Sequence, residues 1–174
     1  MTHQDESSSA GLGIPFTSLL AYRDVETARW YAWFAAHPAA ALDVRLAEGD
    51  VGTVRLLVRH ILAAELRYAQ RLAGEPATDW AAFREESLDA IFDIGTRGRE
   101  LVKRFLADAT EGALAERLTF PTLSAGTITA SKRKILANYV NHGVRHWAQI
   151  ATALRQHGYA DQWAHDLLVS DALE

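Results

Sequence analysis

The sequence predicts an all-α protein built as a four-helix bundle, with a small β-hairpin between the third and fourth helices and a short C-terminal helix. Three observations carry this expectation. Four segments of roughly 20 to 30 residues repeat apolar positions at helical spacing, and little else reads as strand. Gly and Pro residues punctuate the ends of these segments. The chain has 174 residues, 49% hydrophobic and 23% charged, which suits one globular core.

In chain order, residues 1–13 (MTHQDESSSAGLG) are polar, and a flexible tail is expected there, ahead of a single domain over residues 14–174. His3 lies in that tail. The first helix is expected from Pro15 to Ala36. Proline suits a first helical turn, and His37-Pro38 ends the segment because a residue before proline avoids helical geometry. The second is expected from Asp50 to Ala73, stopped by Gly74-Glu75-Pro76. The third is expected from Trp80 to Ala109, capped by Thr78 or Asp79. The fourth is expected from Ala130 to His157, with Gly158 as its stop.

A structureless connection of about 20 residues is unusual in a compact domain. The β-prone pieces Arg117–Phe120 and Gly126–Thr129, around Pro121 and Ser124, predict a hairpin within it. The segment after Gly158 is expected to pack Trp163, Leu167 and Leu168 onto the body.

Composition excludes several functions. There is no cysteine, so disulfides, thiolate ligands and a cysteine nucleophile are all absent, and a metal would need His, Asp, Glu or water. The net charge is −4 and the arginines are scattered along the chain, which gives no signature of a nucleic-acid partner. No apolar run approaches the roughly 18 residues of a membrane span. The N-terminus lacks the charged-then-apolar order of a secretion signal, so a cytoplasmic location is expected.

The chemistry concentrates in NYVNHGVRHWAQIATALRQHG, residues 138–158. On a helix of 100° per residue, Ile135, Tyr139, Trp147, Ile150 and Leu154 fill an apolar arc, and Lys134, Asn141, Arg145 and Thr152 fall opposite. His142 and His146 sit at the border, four residues apart and so on one face. His60 sits at a similar border on the second helix, while Glu65 lies within its apolar stripe. Two readings are open at this point. The histidines are packed, hydrogen-bonded core residues, or they converge on one metal ion, as facing helices do in bundle cores. Glu65 is equally a partner for an arginine of another helix. Gly143 occupies the position where the zinc-protease pattern H-E-x-x-H carries its base, so this segment supplies no protease base. A mid-helix glycine costs about 1 kcal/mol relative to alanine, and close approach of another chain or a ligand is one reason to keep it.

HILAAE (His60–Glu65) followed by NHGVRHWAQIATALRQHG (Asn141–Gly158) resembles the DinB/YfiT-like family of bacterial four-helix bundles. The resemblance spans Phe16 to Gly158. It implies a three-histidine metal site, with His60, His142 and His146 as ligands, and it implies a homodimer. Many members read HHRGQ where this chain reads Arg145-His146-Trp147-Ala148-Gln149, so the ligand and Gln149 are kept while the surroundings of the pocket change.

Some relatives are metal-dependent transferases or isomerases that use low-molecular-weight thiols, and others are described as hydrolases. The resemblance therefore implies a metal-dependent enzyme of the thiol-dependent S-transferase or hydrolase type, holding a divalent ion, zinc or nickel before iron or manganese, with a thiol cosubstrate in the transferase case and an unidentified small-molecule substrate. Glu65 is then a histidine orienter or general base, and Arg145 an anchor for an anionic substrate. The alternative is a non-catalytic metal-binding or stress-response homodimer. It calls for a fourth protein ligand, with His157, His165, Asp161 and Glu65 as candidates.

Overall fold

The computed structural model describes residues 14–46, 52–84 and 87–173. The expected tail at residues 1–13 and the expected helix start at Asp50 lie outside them. Four long helices form the body: α1 (Phe16–Ala36), α2 (Val54–Leu72), α3 (Leu88–Ala107) and α5 (Lys132–Gln156). Between α3 and α5 come a short helix α4 (Glu111–Ala115) and the strands β1 (Arg117–Pro121) and β2 (Thr127–Ser131). The strands pair antiparallel, with Phe120 opposite Ile128 and Leu118 opposite Ala130. Helix α2 packs on both α3 and α5, and α1 closes the bundle against α3 and α5. No helix among the described residues is long and apolar enough to cross a membrane.

Side-chain caps set most helix starts. Thr53 accepts from the amide of Leu56, Ser87 from Ala90, Thr110 from Ala113 and Ser131 from Lys134. Each satisfies an amide that has no partner inside its helix. Gly74 and Gly158 follow α2 and α5 at φ 74° and 88°, a left-handed conformation that side chains resist.

Three helix starts and the C-terminal segment differ from expectation. Helix α2 begins at Val54 rather than Asp50, with Thr53 extended as its cap. The third helix begins at Leu88 rather than Trp80, and Trp80–Ala82 forms a separate 3₁₀ turn. That turn is held back against α2. Gln70 donates to the Thr78 hydroxyl and accepts from the Thr78 amide, both at 2.9 Å, and Arg67 donates to the Thr78 carbonyl. The fourth long helix begins at Lys132 rather than Ala130, because Ala130 and Ser131 remain in the hairpin ladder and Ser131 is the cap. The C-terminal segment forms two 3₁₀ turns, and Leu168 is 91% exposed rather than packed.

That segment is nevertheless tied down along α1. Trp163 meets Trp30 edge-on at 4.9 Å and donates from Nε1 to Glu26 at 2.9 Å. His165 stacks on Trp30 at 5.1 Å, and its Nδ1 lies 3.1 Å from Glu26 Oε2. The hydroxyl of Tyr22 donates to the His165 carbonyl at 2.9 Å. Trp30 itself is fully buried and stacks on Trp147 of α5 at 5.2 Å. Trp147 is thus core, which accounts for the aromatic between His146 and Gln149.

One polar contact crosses the core. Arg23 of α1 donates from Nε to Oε1 of Glu65 at 3.0 Å, with its Nη2 on the same oxygen. The two side chains are 2% and 1% exposed. Gly143 of α5 faces the pair. A Cβ there would stand 2.4 Å from Arg23 Nε and 2.7 Å from Glu65 Oε1. The close approach that keeps glycine in this helix therefore comes from the chain's own ion pair. Gly98 of α3 plays a comparable part, since a Cβ would stand 3.1 Å from the Cα of Leu66.

Gly143→Ala tests this packing. Alanine gains about 1 kcal/mol of helix propensity, while forcing an extra carbon into a packed core costs about 1–3 kcal/mol, and more if the ion pair is parted. A net loss of about 1–2 kcal/mol is expected in urea unfolding; equal or greater stability would contradict this packing.

Candidate metal centre and cavity

Helix α2 brings in His60, and α5 brings in His142 and His146 from successive turns. Each offers one ring nitrogen, and the three nitrogens lie within 4.8 Å of one another. The ring centroids are 5.2 Å apart for His60–His142, 5.3 Å for His60–His146 and 4.5 Å for His142–His146. Nitrogens about 2.0–2.1 Å from one ion require only small side-chain rotations from this arrangement.

The environment of the rings suits that use. His146 is 9% exposed, and its Nδ1 lies 2.6 Å from Oε1 of Gln149. A carbonyl oxygen there accepts, so Nδ1 carries the proton and Nε2 keeps its lone pair. His142 Nδ1 is buried with no protein partner among the described residues. His60 is stacked under the indole of Trp80 at 5.5 Å. Burial, reinforced by His146 and Arg145, pushes the His60 ring down to about 4. Burial, then His146, His60 and Arg145, push His142 down to about 3. Both rings are therefore neutral at pH 7, the form that ligates a metal.

The triangle opens onto a cavity of about 630 Å³. Its walls are α2 (His60, Arg67, Tyr68, Arg71), α5 (Lys134, Asn138, His142, Arg145), Trp80, and the hairpin from Phe120 to Ile128. Arg145 is exposed and lines the cavity beside His142 and His146, where an anchor for an anion would stand. Trp147 does not line it. Glu65 does not line it either, and its hydrogen bonds run to Arg23. Burial pushes its carboxyl up, against the opposing pull of Arg23. Of the roles open to Glu65, its partner in the structure is the arginine of another helix.

The other candidate fourth ligands are engaged elsewhere. Asp161 lies 2.8 Å from His37 Nε2, His157 Nδ1 contacts the Ala153 carbonyl at 2.9 Å, and His165 faces Glu26. Sequence reasoning missed Trp80, Arg67 and Arg71. The two arginines had a signal, since seven and eleven residues beyond His60 return close to its face of the helix. Trp80 had none, because its turn is set by side-chain bonds from Gln70 and Arg67 to Thr78 that no residue pattern announces.

The depressed histidines give a pH signature in metal-free protein. An unfolded chain protonates these rings near pH 6.5, and the folded chain only near 4 and 3. The unfolded state therefore binds more protons as pH falls through this window, and stability is lost from about pH 7 down to about pH 3. The double variant His60→Gln/His142→Gln is expected to show a shallower fall in melting temperature over that range. An identical fall would contradict the neutral, desolvated rings.

These features were compared with known proteins. No curated protein matches the chain. Among solved structures, the chain is similar to the crystal structure of YjoA, a DinB-like protein from Bacillus subtilis. The TM-score is 0.61 at 16% identity, covering 87% of this chain and 96% of that one, a likeness of fold. The model of the DinB family matches residues 8–172, nearly the whole length, and the chain accordingly belongs to the DinB family.

Proposed function

We propose that this protein is a metal-dependent enzyme, of the thiol-dependent transferase or hydrolase type, that uses His60, His142 and His146 to hold a divalent ion. The observation that carries this reading is the convergence of three ring nitrogens on the wall of a cavity of about 630 Å³. Structural metal sites are closed by a fourth protein ligand, whereas catalytic sites keep a position open to substrate. The three-histidine group has no fourth His, Asp or Glu among the described residues, and it faces space of substrate size.

A bound divalent ion would supply Lewis acidity, lowering the pKa of a water or thiol toward neutrality. The chain's own residues do the rest. Gln149 holds the His146 ring and its tautomer. Trp80 stacks on the His60 ring and limits the orientations open to it. With no cysteine in the chain, a thiol nucleophile would come from a cosubstrate. Zinc or nickel suits three imidazoles best, ahead of iron or manganese. Glu65 is assigned to positioning: it fixes α2 against α1, away from the cavity.

Elemental analysis of the purified protein tests this. About one divalent ion per chain is expected, falling to background in the triple variant His60→Ala/His142→Ala/His146→Ala. The same metal content in both proteins would sink the site, and a metal-free wild type after loading with zinc or nickel would sink the enzyme reading.

A further inference from the structure

The histidine triangle occupies one end of the cavity, and the remaining wall is strongly cationic. Arg67, Arg71, Lys134 and Arg145 all line it, and no carboxylate does among the described residues. This is unexpected in a chain of net charge −4. None of the four forms an ion pair among the described residues, although eleven such pairs occur elsewhere, from Arg23–Glu65 to His165–Glu26.

The two arginines are held in place. Arg67 is 9% exposed, lies over the Trp80 ring at 4.7 Å and donates to the Thr78 carbonyl. Arg71 lies over the Phe120 ring at 4.5 Å and donates from Nη1 to the Arg67 carbonyl at 2.9 Å. A guanidinium against an aromatic face keeps donors along its edge, the geometry that grips a carboxylate or phosphate. Two arginines four residues apart on one helix also repel each other. Burial, and for Arg71 the neighbouring Arg67, disfavours their charged forms. An anion between them would relieve that cost.

Position along the helices sets the shape of the ligand. Arg67 and Arg71 stand about 10 and 16 Å from His60 along α2, at 1.5 Å per residue. Lys134 stands about 12 Å from His142 along α5 by the same rise. The rest of the wall includes Tyr68, whose ring centroid lies 6.0 Å from that of His142, with Ile128 and Ile135, which suits an apolar or aromatic body.

We propose that Arg67, Arg71 and Lys134 bind the carboxylate or phosphate of an elongated anionic substrate, whose other end reaches Arg145 and the histidine triangle. The anion site stands on the cationic wall alone, while the placement of the reacting end rests on the metal-site reading above.

Calorimetric titration with 4-phenylbutyrate, phenyl phosphate and the neutral 4-phenylbutyramide tests it. At least one anion is expected to bind the wild type at least tenfold more tightly than the amide does, and the better of the two identifies the anionic group. Arg71→Gln is expected to weaken anion binding at least fivefold. Lys134→Gln, on an exposed side chain that leaves the core untouched, should weaken it at least threefold. Binding should persist in the triple variant His60→Ala/His142→Ala/His146→Ala, which separates this site from the metal content of the protein. Three results would overturn the proposal: equal affinity for acid and amide, no binding of either anion at millimolar concentration, or anion binding that the arginine and lysine variants keep and the histidine variant loses.

Discussion

The contact on which the rest of the structure depends is the buried pair of Arg23 and Glu65, seated against Gly143. It joins α1 to α2 and lies against α5, the two helices that carry the histidines included. Glu65 is five residues beyond His60, and Gly143 directly follows His142. Wherever this pair sits, the spacing of α2 and α5 at the ligand level is set. A buried charge pair is weak evidence for stability, because desolvation consumes most of the Coulombic gain. Its effect here is better described as registry: two charges that cannot be separated in the core allow few other alignments of three helices.

The pair also separates the polar chemistry of the bundle into two layers. In the inner layer, a carboxylate and a guanidinium neutralise each other away from the cavity. In the outer layer, three histidines face a space lined by cations and by no described carboxylate. Burial first, and then the neighbouring histidines and Arg145, keep His60 and His142 unprotonated. The same surroundings attract an anion. Arg145 is common to both effects: it helps hold the two rings neutral, and it lines the cavity proposed to take an anionic substrate.

Much of this was legible in the sequence, for identifiable reasons. The four long helices follow from apolar periodicity, and the histidine set from the border positions of His60, His142 and His146, joined by the resemblance. The hairpin followed from the β-prone pieces around Pro121. What was not legible depended on side-chain contacts between elements rather than on a pattern within one. Trp80 has helical surroundings in the sequence, yet its turn is drawn onto α2 by Thr78. Leu168 looked like a packing residue, but the C-terminal segment is anchored through Trp163 and His165 instead. Gly143 was readable as a site of close approach, but not as the seat of an ion pair whose two members lie 42 residues apart. The basic residues looked scattered because Arg67 and Lys134 are far apart in the chain; only the packing of α2 on α5 brings them to one cavity.

The most direct test of the central claim is anomalous diffraction from crystals grown with zinc or nickel, recorded at the absorption edge of that metal. One strong anomalous peak per chain is expected, bounded by ring nitrogens of His60, His142 and His146 and open toward the cavity. A peak elsewhere, or no peak among these three rings in metal-loaded crystals, would contradict it.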